Sequence, residues 1–154
     1  MILVRHAQAE RKARWNREES LRPLSRRGEL QAAALVRILA KDDVAQAWSS
    51  PTVRCRQTLA PLAAERGLEV RDHPLLAKEA RPDSVLPWVL AHGGEPWVLC
   101  THGEVFEALL RVGRESGLVV ARAMVTEKGA AWRVIGHQDG SMEMEYVPPG
   151  LRLR

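Results

Sequence analysis

A chain of 154 residues in which 45% are apolar and 27% are charged has the length and composition of one globular domain. It contains no apolar run near the roughly 18 residues that a membrane-spanning helix needs, and its first residues lack the pattern of a signal peptide. We therefore expect a single domain over residues 1–154, located in the cytoplasm and away from membranes. The two cysteines, Cys55 and Cys100, fit buried thiols in a reducing compartment better than a disulfide.

Positive charge is concentrated near the start of the chain. The formal net charge is +4, and residues 11–27 contain seven arginines and lysines against only Glu18 and Glu19. This distribution favours an anionic partner, but it does not distinguish a phosphate metabolite from a nucleic acid or an acidic protein surface.

Short apolar runs alternate along the chain with segments of helical periodicity. The runs predict strands at residues 2–4, 44–48, 68–71, 96–101, 131–135 and 142–147, the last two joined by a turn at 138–140. The periodic segments predict helices from Ser25 to about 40, from Ser50 to Gly67, and from 104 to about 116. A further helix is predicted to follow a loop at 74–82 and to end at about residue 92. Both serines are expected to cap their helices.

Alternating strands and helices predict an α/β fold in which helices cover both faces of a mostly parallel sheet. Ligands of such sheets bind beyond the carboxyl ends of the strands. Arg5-His6 follows the first predicted strand, and His102 follows the fourth. We therefore expect these side chains to lie at one edge of the sheet.

The residues at this edge suit phosphoryl transfer, which needs a nucleophile, cations around the phosphoryl oxygens and a proton for a poor leaving group. A neutral His6 can attack phosphorus if a hydrogen bond, for example to a backbone carbonyl, holds its other ring nitrogen. Arg5 can bind phosphate in a bidentate manner, as can Arg54 or Arg56, between which periodicity does not choose. A protonated His102 would add a further cation.

Three motifs resemble those of the histidine phosphatase superfamily. They are Arg5-His6-Ala7, the run from Ser49 to Thr58 (SSPTVRCRQT), and Thr101-His102-Gly103. The loop at 21–28 looks like that of the SixA branch, the small phosphohistidine phosphatases. Arg14-Trp15 and the loop at 76–79 are closer still to SixA-like domains that occur fused to Nudix hydrolases, although this chain has no Nudix helix signature. The likeness covers about residues 1–147.

This resemblance implies a three-layer α/β/α sandwich and phosphorylation of His6. No histidine pair has metal-ligand spacing, so we expect a reaction without a metal or another cofactor. The resemblance also implies a phosphate pocket of Arg5, Arg54 and His102, so that Arg54 rather than Arg56 is the pocket arginine. Arg22 is expected to reach the phosphate or its leaving group, and Glu79 is the candidate general acid. Ala7 replaces the family's usual glycine, which should be tolerated only if the backbone there avoids positive φ.

The leaving group stays open at this point. If the substrate is a phosphohistidine on a protein, Glu79 should be nearly dispensable. If it is a phosphate ester or a nucleotide phosphate, the leaving oxygen needs a proton, and loss of Glu79 should lower the rate by about 10²-fold or more. A phosphoglycerate-type mutase would need a closed pocket, for which the chain is short. A non-catalytic anion-binding module would show salt-sensitive binding and no phosphoenzyme. We expect a phosphorylated protein or small molecule as the partner, with no nucleic acid and no membrane, and leave the oligomeric state open.

Overall fold

A seven-stranded sheet with two helices on each face organises the part of the chain that the computed structural model describes, residues 1–123 and 125–151. In chain order the elements are β1 (Ile2–Arg5), α1 (Arg26–Ile38), β2 (Gln46–Ser49), α2 (Val53–Arg66), β3 (Val70–Asp72), α3 (Pro82–His92), β4 (Trp97–Thr101), α4 (Gly103–Glu115), β5 (Val119–Ala121), β6 (Ala131–Gly136) and β7 (Met142–Val147). The expected single domain also includes residues 124 and 152–154, which lie outside the described part.

Strand β1 lies at the centre of the sheet, whose order is β3-β2-β4-β1-β6-β7-β5. Four of the six neighbouring pairs are parallel, and the antiparallel ones are β1–β6 and β6–β7. The predicted mostly parallel sheet is therefore confirmed. In the β1–β4 pair Arg5 stands opposite Thr101, so the chain leaves both strands at the same level of the same edge.

Side chains of the central strands point alternately into two hydrophobic cores, because successive residues of a strand face opposite sides of the sheet. Ile2 and Val4 pack on the side covered by α1 and α2, whereas Leu3 packs on the side covered by α3 and α4. Cys55 and Cys100 are buried free thiols in the first of these cores, as predicted. The three-layer α/β/α arrangement is thus confirmed.

One predicted cap is wrong and one strand was missed. Ser25 caps α1, accepting a hydrogen bond of 3.2 Å from Gly28 N–H, but α2 begins at Val53 with Thr52 at its N-cap, and the Ser50 hydroxyl contacts His102 instead. Strand β5 was not predicted because three residues show no detectable periodicity; its pairing with β7 holds it in the sheet. None of the helices in the described ranges combines the length and apolar character that crossing a bilayer requires.

Gly28 allows α1 to approach the segment that follows β1. The carbonyl of Gln8 accepts hydrogen bonds from the Ser25 N–H (2.9 Å) and hydroxyl (3.1 Å), while the Gln8 N–H donates to Gln31 Oε1 (2.9 Å). A Cβ on residue 28 would lie 2.0 Å from that carbonyl oxygen, which is a severe backbone clash. The helix can therefore hold the segment after His6 only with glycine at position 28.

We predict that Gly28→Ala lowers the free energy of unfolding by about 2 to 3 kcal/mol, because the methyl group must push α1 away from the Gln8 backbone. Urea denaturation measures the change. Gly94→Ala is the matched control, since no atom lies within 4 Å of the added methyl, and its effect should stay within about 0.5 kcal/mol. Equal stability of the two variants would contradict the prediction.

Candidate active site

A cavity of about 190 Å³ lies at the carboxyl ends of β1 and β4, and we call it the histidine pocket. It is lined by Arg5, His6, Ala9, Arg22, Arg54, Lys78, His102, Glu104 and Lys128. The structure thus brings together five of the six residues singled out in the sequence, and Glu79 is the one outside this set.

His6 is buried at the end of β1 with one ring nitrogen already engaged. Its side chain is 8% exposed, and Nδ1–H donates to the Ala7 carbonyl at 2.8 Å. A carbonyl can only accept, so this bond selects the tautomer whose lone pair is on Nε2. Burial, with smaller contributions from His102 and Arg54, lowers the pKa of His6 to about 4. His6 is therefore neutral at physiological pH, as attack on phosphorus requires.

Ala7 meets the condition that its replacement of glycine imposes. Among the described residues, positive φ values occur only at glycines, and Ala7 is fully buried. Its N–H donates to Thr58 Oγ1 (3.0 Å), and the Thr58 hydroxyl donates to the Arg54 carbonyl (2.7 Å). This short chain of hydrogen bonds ties the residue after His6 to the first turn of α2, the helix that carries Arg54.

Arg5 lies flat against the start of α4. A Cβ on Gly103 would come within 2.7 Å of the guanidinium carbon, so this glycine makes room for the arginine. On its other side, Nη1 donates to the carbonyl and the hydroxyl of Thr126. Nε is buried without a hydrogen-bond partner in the described structure. A guanidinium held on two sides with a free donor is prepared to receive an anion.

Arg54 and Arg22 meet at the carboxylate of Glu19. The Arg54 side chain is almost fully buried, donates from Nη1 to the Glu19 carbonyl (3.0 Å) and lies 3.6 Å from its carboxylate. Arg22 binds the same carboxylate through Nε and Nη2, with Nη2 at 2.6 Å from Oε1. Arg56, in contrast, is exposed and pairs with Asp72. Geometry therefore selects Arg54 as the pocket arginine.

His102 is 1% exposed and precedes α4 as its N-cap residue. Its Nε2 shares a hydrogen bond of 2.8 Å with the Ser50 hydroxyl and lies 3.6 Å from Cys55 Sγ. The ring stands edge-on to that of His6, with 5.3 Å between the centroids. Ser50, predicted as a helix cap, thus orients the second histidine, a role that only the pairing of β2 with β4 makes possible.

Sequence reasoning missed three charged residues of the pocket, namely Lys78, Glu104 and Lys128. Glu79 is exposed and does not line the cavity, so its role as proton donor stays a prediction. Burial would raise the pKa of Glu104, but the hydrogen bond of its own backbone N–H and the charge of Lys78 outweigh it and lower the pKa. Glu104 could have been suspected from its position two residues after His102; nothing in the sequence around Lys128 indicated its position.

Metal ligation has no evident basis in the described ranges. No group of three or more histidine, cysteine, aspartate or glutamate side chains is arranged there to hold a metal ion. The pocket instead combines the neutral His6 imidazole with His102 and with several arginine and lysine side chains. This combination can accept a phosphoryl group and stabilise the charge on its oxygens.

Comparison with known proteins gives a family match and a shared fold. The sequence model of the histidine phosphatase superfamily (branch 1) matches residues 1–79, just over half of the chain. An 8-oxo-(d)GTP phosphatase of Mycolicibacterium smegmatis is 32% identical over 155 residues; the match covers 97% of this chain and 48% of that protein. The chain therefore spans about half the length of this curated relative.

Solved structures of SixA proteins share the fold. The protein histidine phosphatase SixA complexed with tungstate has a TM-score of 0.70 and 18% identity, with 96% of each chain covered. A SixA structure from Agrobacterium tumefaciens has a TM-score of 0.69 and 24% identity, with 96% of this chain and 97% of that one covered. At these identities the likeness concerns the fold alone.

We predict that the His6 imidazole titrates near pH 4, well below the ordinary value of 6.5, because burial penalises its charged form. Two-dimensional ¹H–¹⁵N spectra of the imidazole nitrogens over pH 3.5–8 measure this value, and His6→Gln assigns the signals by their loss. At pH 7 the His6 signals should be those of the neutral tautomer protonated at Nδ1. Titration of His6 between pH 6 and 7 would contradict the prediction.

Proposed function

This chain belongs to the histidine phosphatase superfamily, and we propose that it is a phosphohydrolase that forms a phosphohistidine at His6. The observation that carries the proposal is the state of that ring, which is buried and neutral, with Nδ1 engaged by the Ala7 carbonyl. Nε2 is then the nucleophile. Arg5, Arg54 and His102 lie around it in the same cavity, which supports their assignment to the phosphoryl oxygens.

The proposed reaction has two steps. In the first, the Nε2 lone pair forms a bond to phosphorus, and the bond from phosphorus to the leaving group breaks, the leaving group taking its electron pair. In the second, water attacks the phosphohistidine, the P–N bond breaks, and inorganic phosphate and neutral His6 are released. Arg5 and Arg54 would hold the equatorial oxygens in both steps, because both guanidiniums are fixed by backbone carbonyls.

The charges of the pocket favour substrates with good leaving groups. A general acid works best with a pKa near the working pH, yet the pKa of Glu104, the carboxyl group in the pocket lining, is lowered. Glu79 is exposed outside the lining. A phosphohistidine or a phosphoanhydride releases a group that is already stable without a strong acid. For nucleotide phosphates this replaces the expectation from the sequence that their cleavage would depend on Glu79. An alkyl phosphate ester does not release such a group, and is the poorest fit.

Two substrate classes therefore remain, and each has support. Phosphohistidine on a protein is the substrate class that the sequence motifs suggest through their resemblance to the SixA branch. A nucleotide phosphate is favoured by the relative that shares 32% identity and is named an 8-oxo-(d)GTP phosphatase. We propose a phosphohydrolase for one or both of these classes. The competing anion-binding module differs in one respect, since it would form no phosphoenzyme.

We predict that ³²P-labelled phosphodonors, a phosphohistidine protein and a nucleotide panel, label the wild-type protein with an acid-labile, base-stable phosphate. His6→Ala should abolish the label and lower turnover by about 10³-fold or more, because the nucleophile is gone. His137→Ala is the matched control: this histidine lies beyond β6, outside the pocket lining, and its loss should leave labelling intact. Labelling or turnover retained in His6→Ala would sink the proposed mechanism.

We predict that Glu79→Gln changes kcat/KM by less than about threefold on a phosphohistidine protein and on a nucleoside diphosphate, because neither leaving group needs a strong acid. Glu65→Gln, at an exposed glutamate of α2, is the control for a lost surface charge. Steady-state phosphate release measures both variants. A loss of about 10²-fold in Glu79→Gln alone would instead establish Glu79 as the proton donor.

A further inference from the structure

The histidine pocket contains more positive charge than one phosphoryl group requires. Arg5, Arg54 and His102 are the residues assigned to the transferred phosphoryl oxygens, yet Arg22, Lys78 and Lys128 also line the cavity. Cations gathered in a confined space repel one another, so their presence together has a cost unless anions balance them. We therefore ask which of these additional cations is paired with a carboxylate of the protein.

Two of the three are paired with carboxylates. Arg22 binds Glu19 through two nitrogens, and Lys78 lies 3.7 Å from Glu104. Across residues 1–123 and 125–151, no carboxylate is in ion-pair contact with the Lys128 ammonium. The adjacent Glu127 accepts a hydrogen bond from Tyr146 Oη (2.8 Å). Of these three additional cations, Lys128 is thus the one without a carboxylate partner in that part of the chain.

The backbone of Lys128 is fixed beside His6, unlike that of an ordinary surface lysine. Its carbonyl accepts a hydrogen bond from Gln31 Nε2 (3.1 Å), and the next N–H, that of Gly129, is within 3.2 Å of the Arg5 carbonyl and 3.3 Å of the His6 carbonyl. Gly129 has φ +79°, a conformation that keeps the chain close to the end of β1. The Lys128 side chain therefore starts from a rigid base at the pocket wall.

Three arginines exert the main charge effects on Lys128, although Glu104 lines the same pocket and Glu127 is its neighbour in the chain. Partial burial, followed by the charges of Arg5, Arg22 and Arg54, lowers the pKa of its ammonium group. Binding of an anion would stabilise an ammonium group in these surroundings, because attraction to the anion offsets the repulsion from the neighbouring arginines. An ammonium on a flexible stem also suits a phosphate group whose exact orientation varies.

Lys128 is also shared with a second cavity, which offers room beyond the pocket. This side cavity, of about 490 Å³, is lined by Gln8, Arg27, Gln31, Glu127, Lys128, Pro149 and Leu151. In it, Arg27 Nε has no hydrogen-bond partner in the described structure. Lys128 therefore borders both the histidine pocket and a cavity with several polar lining residues.

We propose that Lys128 binds a second phosphate of the substrate, next to the phosphoryl group that His6 accepts, so that the pocket selects phosphoanhydrides such as nucleoside di- and triphosphates. This inference rests on the proposed function for its chemical consequence. When Nε2 attacks the terminal phosphorus, the P–O bond of the anhydride breaks and its electron pair stays on the leaving phosphate. Lys128 stabilises that negative charge, which accounts for a pocket without a carboxylic acid of raised pKa.

The test is anion binding measured by isothermal titration calorimetry with inorganic pyrophosphate and orthophosphate as probes, in the His6→Ala background so that pyrophosphate is not hydrolysed during the titration. We expect this protein to bind pyrophosphate at least about tenfold more tightly than orthophosphate, because Lys128 adds a charge-assisted hydrogen bond to the second phosphate. Lys128→Met should remove this advantage and Lys128→Arg should restore most of it. Lys41→Met, which deletes a lysine outside both cavities, should leave the ratio unchanged.

Turnover provides the second measurement. Lys128→Met should lower kcat/KM by about tenfold or more on a nucleoside diphosphate and by less than about twofold on phosphoramidate, whose leaving group carries no negative charge. An unchanged pyrophosphate-to-orthophosphate ratio in Lys128→Met, or equal losses on both substrates, would overturn the inference. A missing His6 phosphoenzyme with the binding ratio intact would instead overturn the proposed chemistry and support Lys128 as a diphosphate-binding residue.

Discussion

The parallel pairing of β1 with β4 is the interaction on which the rest of the site depends. It sets Arg5 opposite Thr101, and the His6 N–H continues the ladder by donating to the Thr101 carbonyl at 3.0 Å. His6 and His102 consequently leave the sheet side by side, although 95 residues separate them in the chain. Register in a sheet shifts only in whole residues, and a slip of one would exchange the side chains between the two cores, so this placement is strongly held.

Burial and charge then act together on the pair of histidines. Enclosing His6 between β1, α2 and α4 lowers its pKa and keeps the imidazole neutral, while the cations around it stay ionised because arginine cannot lose its proton under these conditions. Several of these cations are fixed by backbone carbonyls or by Glu19. The pocket is thereby arranged before any ligand enters, which is what electrostatic stabilisation of a transferring phosphoryl group needs.

The parts of the fold that could be predicted are those with a local signal. Alternating apolar runs and helical periodicity identified six strands and four helices, and the motifs around Arg5-His6, Arg54 and His102 indicated where the pocket lies. The two exceptions have different causes. Strand β5 has only three residues, which are too few to show a pattern. Ser50 is a residue type that favours helix N-caps, but its hydroxyl hydrogen-bonds to His102, which follows the neighbouring strand.

By itself, the sequence determined the α/β architecture, the strand ends at which the histidine pocket lies, and the imidazole that we propose as nucleophile, since all of these follow from residue type and short-range spacing. Only the tertiary structure decided the charge balance of the pocket. Glu19 pairs with Arg22, Lys78 with Glu104, and Lys128 is left without a partner in the described chain. These contacts join segments whose distances depend on how helices and loops pack over the sheet, and electrostatic energies change with each ångström of separation.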